Sequence, residues 1–197
     1  MIFCIVQCAS KIKGDANIAY IGAMEINDED YKELQHNLNE ILGEDLNGDG
    51  KIQVDFTQFL YMTNTQVENM RAIGKPVDYQ SLMTVQTQIN IELTEGNIII
   101  YFINPDVYKQ LSRPGLFMTL EDSLGYTPDY ANDVYSISLG DLPCWDYYMG
   151  IHNFPANTLL VMRDMQVAEE ADKKMQERYE RSVFMFKRLV EFTGKED

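Results

Sequence analysis

Apolar residues recur along this chain at spacings of two and of three to four, and the switching between these periods predicts its elements. Asn17, Ile18, Ala19, Tyr20 and Ile21 form a short apolar run that stops at Gly22, which predicts a first buried strand. Asn27 then caps a helix whose first turn carries Asp28, Glu29 and Asp30, favourable against the helix dipole. Tyr31, Leu34, Leu38, Ile41 and Leu42 fall on one face of that helix, and His36 lies off the stripe, facing solvent. Residues 52–60 alternate apolar and polar, which predicts a strand. Residues 61–77 are polar and broken by Gly74 and Pro76, so they read as loop with at most one short turn. Asp78 caps a second helix with Leu82, Val85, Ile89 and Leu93 on one stripe, ended by Gly96.

Residues 97–103 are the most hydrophobic run and suit a central parallel strand buried on both faces. Pro105 sits in the first turn of a short helix that reaches Leu111. Residues 112–133 read as loop with a brief helix over 120–124, residues 134–139 and 158–162 read as strands, and 167–192 as one long helix striped by Met175, Tyr179, Val183, Phe186 and Val190. Two successive strand-helix-strand units sharing their middle strand imply right-handed crossovers and parallel pairing. The expected fold is therefore an α/β domain over 15–197, three-layered, with a mostly parallel central sheet, flanking helices and a long C-terminal helix. Ligands of such sheets bind beyond the carboxyl ends of the strands. Here those ends are Gly22 to Met24, the region after Tyr61, and Asn104 to Tyr108.

Charge narrows the partners. The 197 residues carry a net charge of −15, which repels phosphate backbones and anionic lipids, so no nucleic acid partner is expected. The acidity suits an exported protein that meets millimolar calcium. The three cysteines, Cys4, Cys8 and Cys144, form neither a disulfide framework nor a zinc pattern. Residues 1–9 are apolar and followed by Lys11 and Lys13. That run is too short to span a bilayer, and it reads either as the outer end of a membrane anchor whose remainder lies upstream, with 1–14 as anchor remnant and linker, or as a short buried strand.

One stretch carries candidate chemistry. In Asp45-Leu46-Asn47-Gly48-Asp49-Gly50-Lys51, three short oxygen-bearing side chains alternate and Gly50 supplies the positive φ of a tight turn. Asp45, Asn47, Asp49 and the backbone carbonyl of Lys51 are candidate ligands of a structural Ca²⁺, which takes six to eight oxygens. The twelfth position of an EF-hand loop carries a bidentate Glu, and here it is Phe56, so the set is incomplete and the site is helix-loop-strand. A metal-free Asn-Gly/Asp-Gly turn reads from the same residues. Among the aromatics, Tyr108, Trp145, Tyr147 and Tyr148 are candidate ligand-binding residues, although aromatics at this density more often close a core. With two histidines, no phosphate loop, no nucleophile elbow and no zinc pattern, no catalytic residues are assigned and an enzyme is not expected.

The order of these elements over residues 17–143 resembles the first lobe of the type 2 extracellular solute-binding proteins, the binding components of ABC importers. Residues 17–56 resemble that family's opening strand, helix and strand. Residues 80–103 resemble its next helix and hydrophobic strand, and Asp106, Leu111, Gly115, Phe117 and Leu120 resemble the helix and turn that follow. The Asp45 to Lys51 string also resembles half of a dockerin. The resemblance implies an extracytoplasmic, membrane-anchored, non-catalytic domain whose partner is a small solute or a cell-surface protein. Too few residues follow Pro143 for a second lobe, so a one-lobed relative is implied, without the clamp that closes two lobes on a solute.

Overall fold

A computed structural model describes residues 14–165 and 173–194. The N-terminal apolar run, with the tether read from it, and the expected start of the last helix near Val167 lie outside the described residues. Five strands form one sheet: β1 (Ala16–Gly22), β2 (Val54–Leu60), β3 (Ile100–Ile103), β4 (Ser136–Ser138) and β5 (Leu159–Met162). Six α-helices accompany them among the described residues: α1 (Asp28–Leu42), α2 (Asn64–Ala72), α3 (Tyr79–Glu95), α4 (Pro105–Leu111), α5 (Leu120–Leu124) and α6 (Lys173–Val190). None is long and apolar enough to cross a membrane.

The strand order is β2-β1-β3-β5-β4. β1 pairs in parallel with β2 and β3, as two helical crossovers require, but β5 is antiparallel to both β3 and β4. The sheet is therefore mixed, with β5 running against the other four strands. The reason lies in the connection: between β4 and β5 the chain makes only 3₁₀ turns at Leu139–Asp141 and Met149–Asn153, and a return without a crossover helix runs antiparallel.

Alternate residues of the inner strands feed two cores. Ile18, Tyr20, Phe102 and Leu160 meet Leu34, Leu38, Met185 and Phe186 of α1 and α6. Ala19, Ile21, Tyr101 and Val161 meet Ile89 and Leu93 of α3 and Val107 of α4. Only the C-terminal half of α3 is seated: Ile89 and Leu93 are buried, whereas Tyr79 and Met83 are exposed. The stretch 61–77, read as loop, contains α2. Thr63 and Gln66 close a reciprocal capping box at its start, which offsets the polar composition that hid it.

Both sheet edges are covered. Tyr31, Gln35 and Asn39, one turn apart on α1, run along β2: Tyr31 donates to the Phe56 carbonyl (2.9 Å), Gln35 to the Val54 carbonyl (3.4 Å), and the Val54 N–H donates to Asn39 Oδ1 (2.7 Å). A free edge would invite pairing with another chain. At the other edge the Asn132 N–H donates to the Ser136 carbonyl (2.9 Å).

The opposite side of α1 takes the 3₁₀ turn at Met149–Asn153. The Gly150 N–H donates to Asn37 Oδ1 (2.8 Å), and a Cβ at Gly150 would stand 2.6 Å from that oxygen and 2.8 Å from the Leu34 backbone. This approach drives Phe154 into the first core, with ring centroids 5.0 Å from Tyr20 and 5.4 Å from Phe102. Gly150→Ala is expected to lower stability by about 2 kcal/mol through overpacking, read as a fall in urea midpoint without a change in slope.

Candidate functional site

α1 ends at Gly43, whose φ of 72° forms a left-handed cap, and the chain turns at once into the oxygen-rich loop. Each oxygen side chain there accepts the N–H two residues on: Asp45 Oδ1 from Asn47 (3.2 Å), Asn47 Oδ1 from Asp49 (2.9 Å) and Asp49 Oδ1 from Lys51 (2.9 Å). Asp45 also accepts from Gly48 (2.7 Å) and Gly50 (2.7 Å), which reach it through φ values of 75° and 87° that a side chain would resist. These donors, the Gly50 N–H foremost, hold the Asp45 carboxyl below its ordinary value.

A residue that sequence reasoning passed over holds the loop from beneath. Asp15 is buried, its Oδ1 accepts the N–H groups of Leu46 (2.9 Å) and Asn47 (2.9 Å), and its Oδ2 accepts that of Gln53 (2.8 Å). The Asn47 N–H is thus shared by the carboxylates of Asp15 and Asp45. Among the described residues no lysine, arginine or histidine forms an ion pair with Asp15, Asp45 or Asp49.

The donors match a hard cation such as Ca²⁺ in kind: two carboxylates, one amide oxygen and the Lys51 carbonyl, with lone pairs beyond those the turns use. They fall short in number. Phe56, at the position of the bidentate glutamate, is buried against Phe102 and Phe154. Asp55 is turned away, accepting from Gly14 N–H (3.1 Å) and Gln53 Nε2 (2.6 Å). No group of three or more acidic, histidine or cysteine side chains among the described residues is placed to hold a metal ion. The donor set thus suits such an ion in kind and falls short of the six to eight oxygens it takes.

The four candidate aromatics do not come together. Tyr108 lies in the second core, its ring 5.4 Å from Phe117 and its hydroxyl donating to Asp133 Oδ2 (3.1 Å). Burial and then the Asp133 charge push that hydroxyl up to about 12. Trp145, Tyr147 and Tyr148 sit on the other side of the sheet. Trp145 is half-buried and stacked on His152 at 4.2 Å, Tyr148 is buried against Phe192, and Tyr147 is 62% exposed. Two tyrosines outside the sequence reading, Tyr126 and Tyr130, lie near the same end of α6: Tyr130 donates to the Val190 carbonyl (3.0 Å), and burial and then the Glu191 charge raise the Tyr126 hydroxyl above its ordinary value. Burial pushes the Cys144 thiol up to about 12, leaving it protonated at neutral pH.

Two grooves flank these elements. One of about 450 Å³ lies between Leu46 and Asn47 of the loop and Glu177, Arg181 and Phe184 of α6. The other, about 220 Å³, lies between α3 and α4, lined by Tyr61, Leu93 and Gln110. Neither is lined by the ends of both β1 and β3, where the sheet order reverses and ligands of open α/β sheets bind. There the chain is stitched by the Tyr61 N–H to the Gly22 carbonyl (2.8 Å) and the Asn104 N–H to the Ile21 carbonyl (3.0 Å), and the Tyr20 ring fills the space above Gly22.

Asp15→Ala strands three N–H groups and is expected to cost roughly 2–4 kcal/mol, with Asp15→Asn intermediate; amide exchange at Leu46, Asn47 and Gln53 reports the same loss. Because Asp45 titrates lower in the folded chain, its contribution to the loop is present above the ordinary aspartate value of 3.8 and is lost as pH falls through the folded value. The Gly50 amide resonance is expected to hold constant from neutral pH down to that range and to shift only below it. No family model, no curated protein and no solved structure matches this chain.

Proposed function

We propose that this chain is a non-catalytic binding domain, related to one lobe of the solute-binding proteins and placed outside the cytoplasm on a membrane tether, in which the Asp45 to Lys51 loop holds a structural calcium ion. The observation that carries the reading is the loop itself: Asp15 and Asp45 share one N–H, Asp49 lies two turns on, and no side-chain cation among the described residues neutralises them. A bound cation would neutralise these carboxylates and lock the exit of α1 onto the start of β2. Asp45, Asn47, Asp49 and the Lys51 carbonyl would hold it. A site with so few carboxylates belongs to the weak end of calcium affinities, which suits a compartment with millimolar calcium. Cores on both faces of the sheet support the three-layer form of such a lobe.

A specific observation favours a protein partner over a small solute. The crevice between β1 and β3 is occupied by the chain's own Tyr20, while Tyr126, Tyr130 and Tyr147 stand exposed around the end of α6. Tyrosine is enriched at protein interfaces because one rigid side chain offers an apolar ring and a polar tip.

Thermal unfolding in EDTA and in excess Ca²⁺, on the wild type and on Asp45→Ala/Asp49→Ala, tests the metal. A site with Kd of ~0.1 mM at ~10 mM free calcium adds about 2.7 kcal/mol, a rise of several degrees. The rise is expected in the wild type and absent in the double variant, and Mg²⁺ at the same concentration is expected to give less. Equal midpoints in EDTA and Ca²⁺ would reduce the loop to a metal-free turn.

A further inference from the structure

The end of α6 gathers aromatic side chains from three separate parts of the chain. Tyr130 is held by its bond to the Val190 carbonyl and Tyr147 by an edge-on contact with Phe192 at 5.1 Å, and Tyr126 lies within reach of the Glu191 charge. The three tyrosines are 41% (Tyr126), 37% (Tyr130) and 62% (Tyr147) exposed. Exposed carboxylates lie near these rings: the Glu191 charge, after burial, raises the Tyr126 hydroxyl, and Asp129 and Asp146 adjoin Tyr130 and Tyr147 in the chain. Among the described residues none of these three carboxylates is in an ion pair.

This combination selects its occupant. A tyrosine face attracts cations through its quadrupole, and a guanidinium both stacks on the ring and forks onto a neighbouring carboxylate. A neutral or acidic partner would cover the carboxylates without pairing them, at a desolvation cost that nothing returns. The net charge of −15 adds long-range attraction for a basic chain. We propose that this aromatic corner is the docking surface for a protein partner that presents an arginine-bearing basic segment. The proposal rests on the reading of the chain as a binding domain and names the chemistry of what it binds.

The test is fluorescence anisotropy of the full chain with labelled Arg-Gly, Lys-Gly and Glu-Gly repeat peptides of equal length, at roughly 50 and 200 mM salt. A neutral oligosaccharide serves as a competitor. The Arg-Gly peptide is expected to bind more tightly than Lys-Gly. Its affinity should fall about tenfold in Tyr147→Ala, Tyr126→Ala and Glu191→Gln, be kept in Tyr147→Phe, and be unchanged in the remote control Glu68→Gln/Asp106→Asn. No Arg-Gly binding at low salt, or an equal loss in the remote control, would overturn the proposal, the latter by leaving only diffuse electrostatics. Glu-Gly binding or displacement by the oligosaccharide, in either case lost in Tyr147→Ala, would leave a binding surface with a different occupant and would also sink it. The calcium-dependent midpoint, measured on the same preparations, separates failure here from failure of the metal reading, because the corner and the loop share no residue.

Discussion

The carboxylate of Asp15 is the constraint on which the arrangement of this chain turns. It stands at the residue before β1, and it accepts N–H groups from both the entrance and the exit of the loop that joins α1 to β2. A buried charge is costly unless hydrogen bonds replace its hydration, and here three backbone donors do so. The Asp15 N–H in turn donates to the Gln53 carbonyl (2.7 Å), so the first parallel pair, Ala16 with Val54, follows directly in register. Loop shape, strand register and the exit angle of α1 are therefore one structural decision. The same carboxylate shares the Asn47 N–H with Asp45, which ties the buried anchor to the loop's own turns.

Once β1 and β2 are registered, α1 has little freedom. Its Tyr31, Gln35 and Asn39 must meet the outward backbone groups of β2, and its Leu34 and Asn37 must leave room for Gly150. Distant arginines then close two helix ends. Arg188 Nε donates to the Ile41 carbonyl (3.0 Å) at the end of α1, and the buried Arg163 donates to the carbonyls of Glu92 (3.1 Å) and Gly96 (2.6 Å) at the end of α3. In each case the negative end of the helix dipole serves as the counter-charge that an acidic side chain would otherwise supply. Arg163 can lie almost out of water for this reason. It ties β5, the strand that reverses the sheet's direction, to the crossover that precedes β3.

Much of this was readable from period and punctuation. The stripe Leu34, Leu38, Ile41 and Leu42, the Asn27 cap and the turn glycines follow from local rules, and the structure places them accordingly. Tyr31 shows where such rules stop: it fits the apolar stripe by spacing, yet its hydroxyl serves the sheet edge. Asp15 looks like a linker residue because its three partners lie more than thirty positions away. The Thr63 and Gln66 box is visible in the sequence, but the polar run around it conceals a helix that buries only Val67. The direction of β5 depends on what the connection from β4 does, and an apolar Leu-Leu-Val-Met run is silent on direction. The aromatic corner joins residues near 126, 147 and 192, and no window of sequence holds all three.

Phe56 explains why the loop looks like half of a familiar cation site. In a loop followed by a helix, the twelfth side chain can point back at the ion. In a loop followed by a strand, the period of two sends the tenth and twelfth residues, Val54 and Phe56, to the same face, and here both are buried in the first core. A carboxylate at position 56 would place a charge among Phe102 and Phe154, at a cost of several kcal/mol, so the strand excludes the ligand that tight binding needs. Position 55 faces the other way, and its carboxylate is engaged by Gly14 and Gln53. Sheet formation thus withholds that carboxylate from the loop by geometry. If the loop takes calcium as proposed, so few carboxylates would confine binding to surroundings where calcium is plentiful.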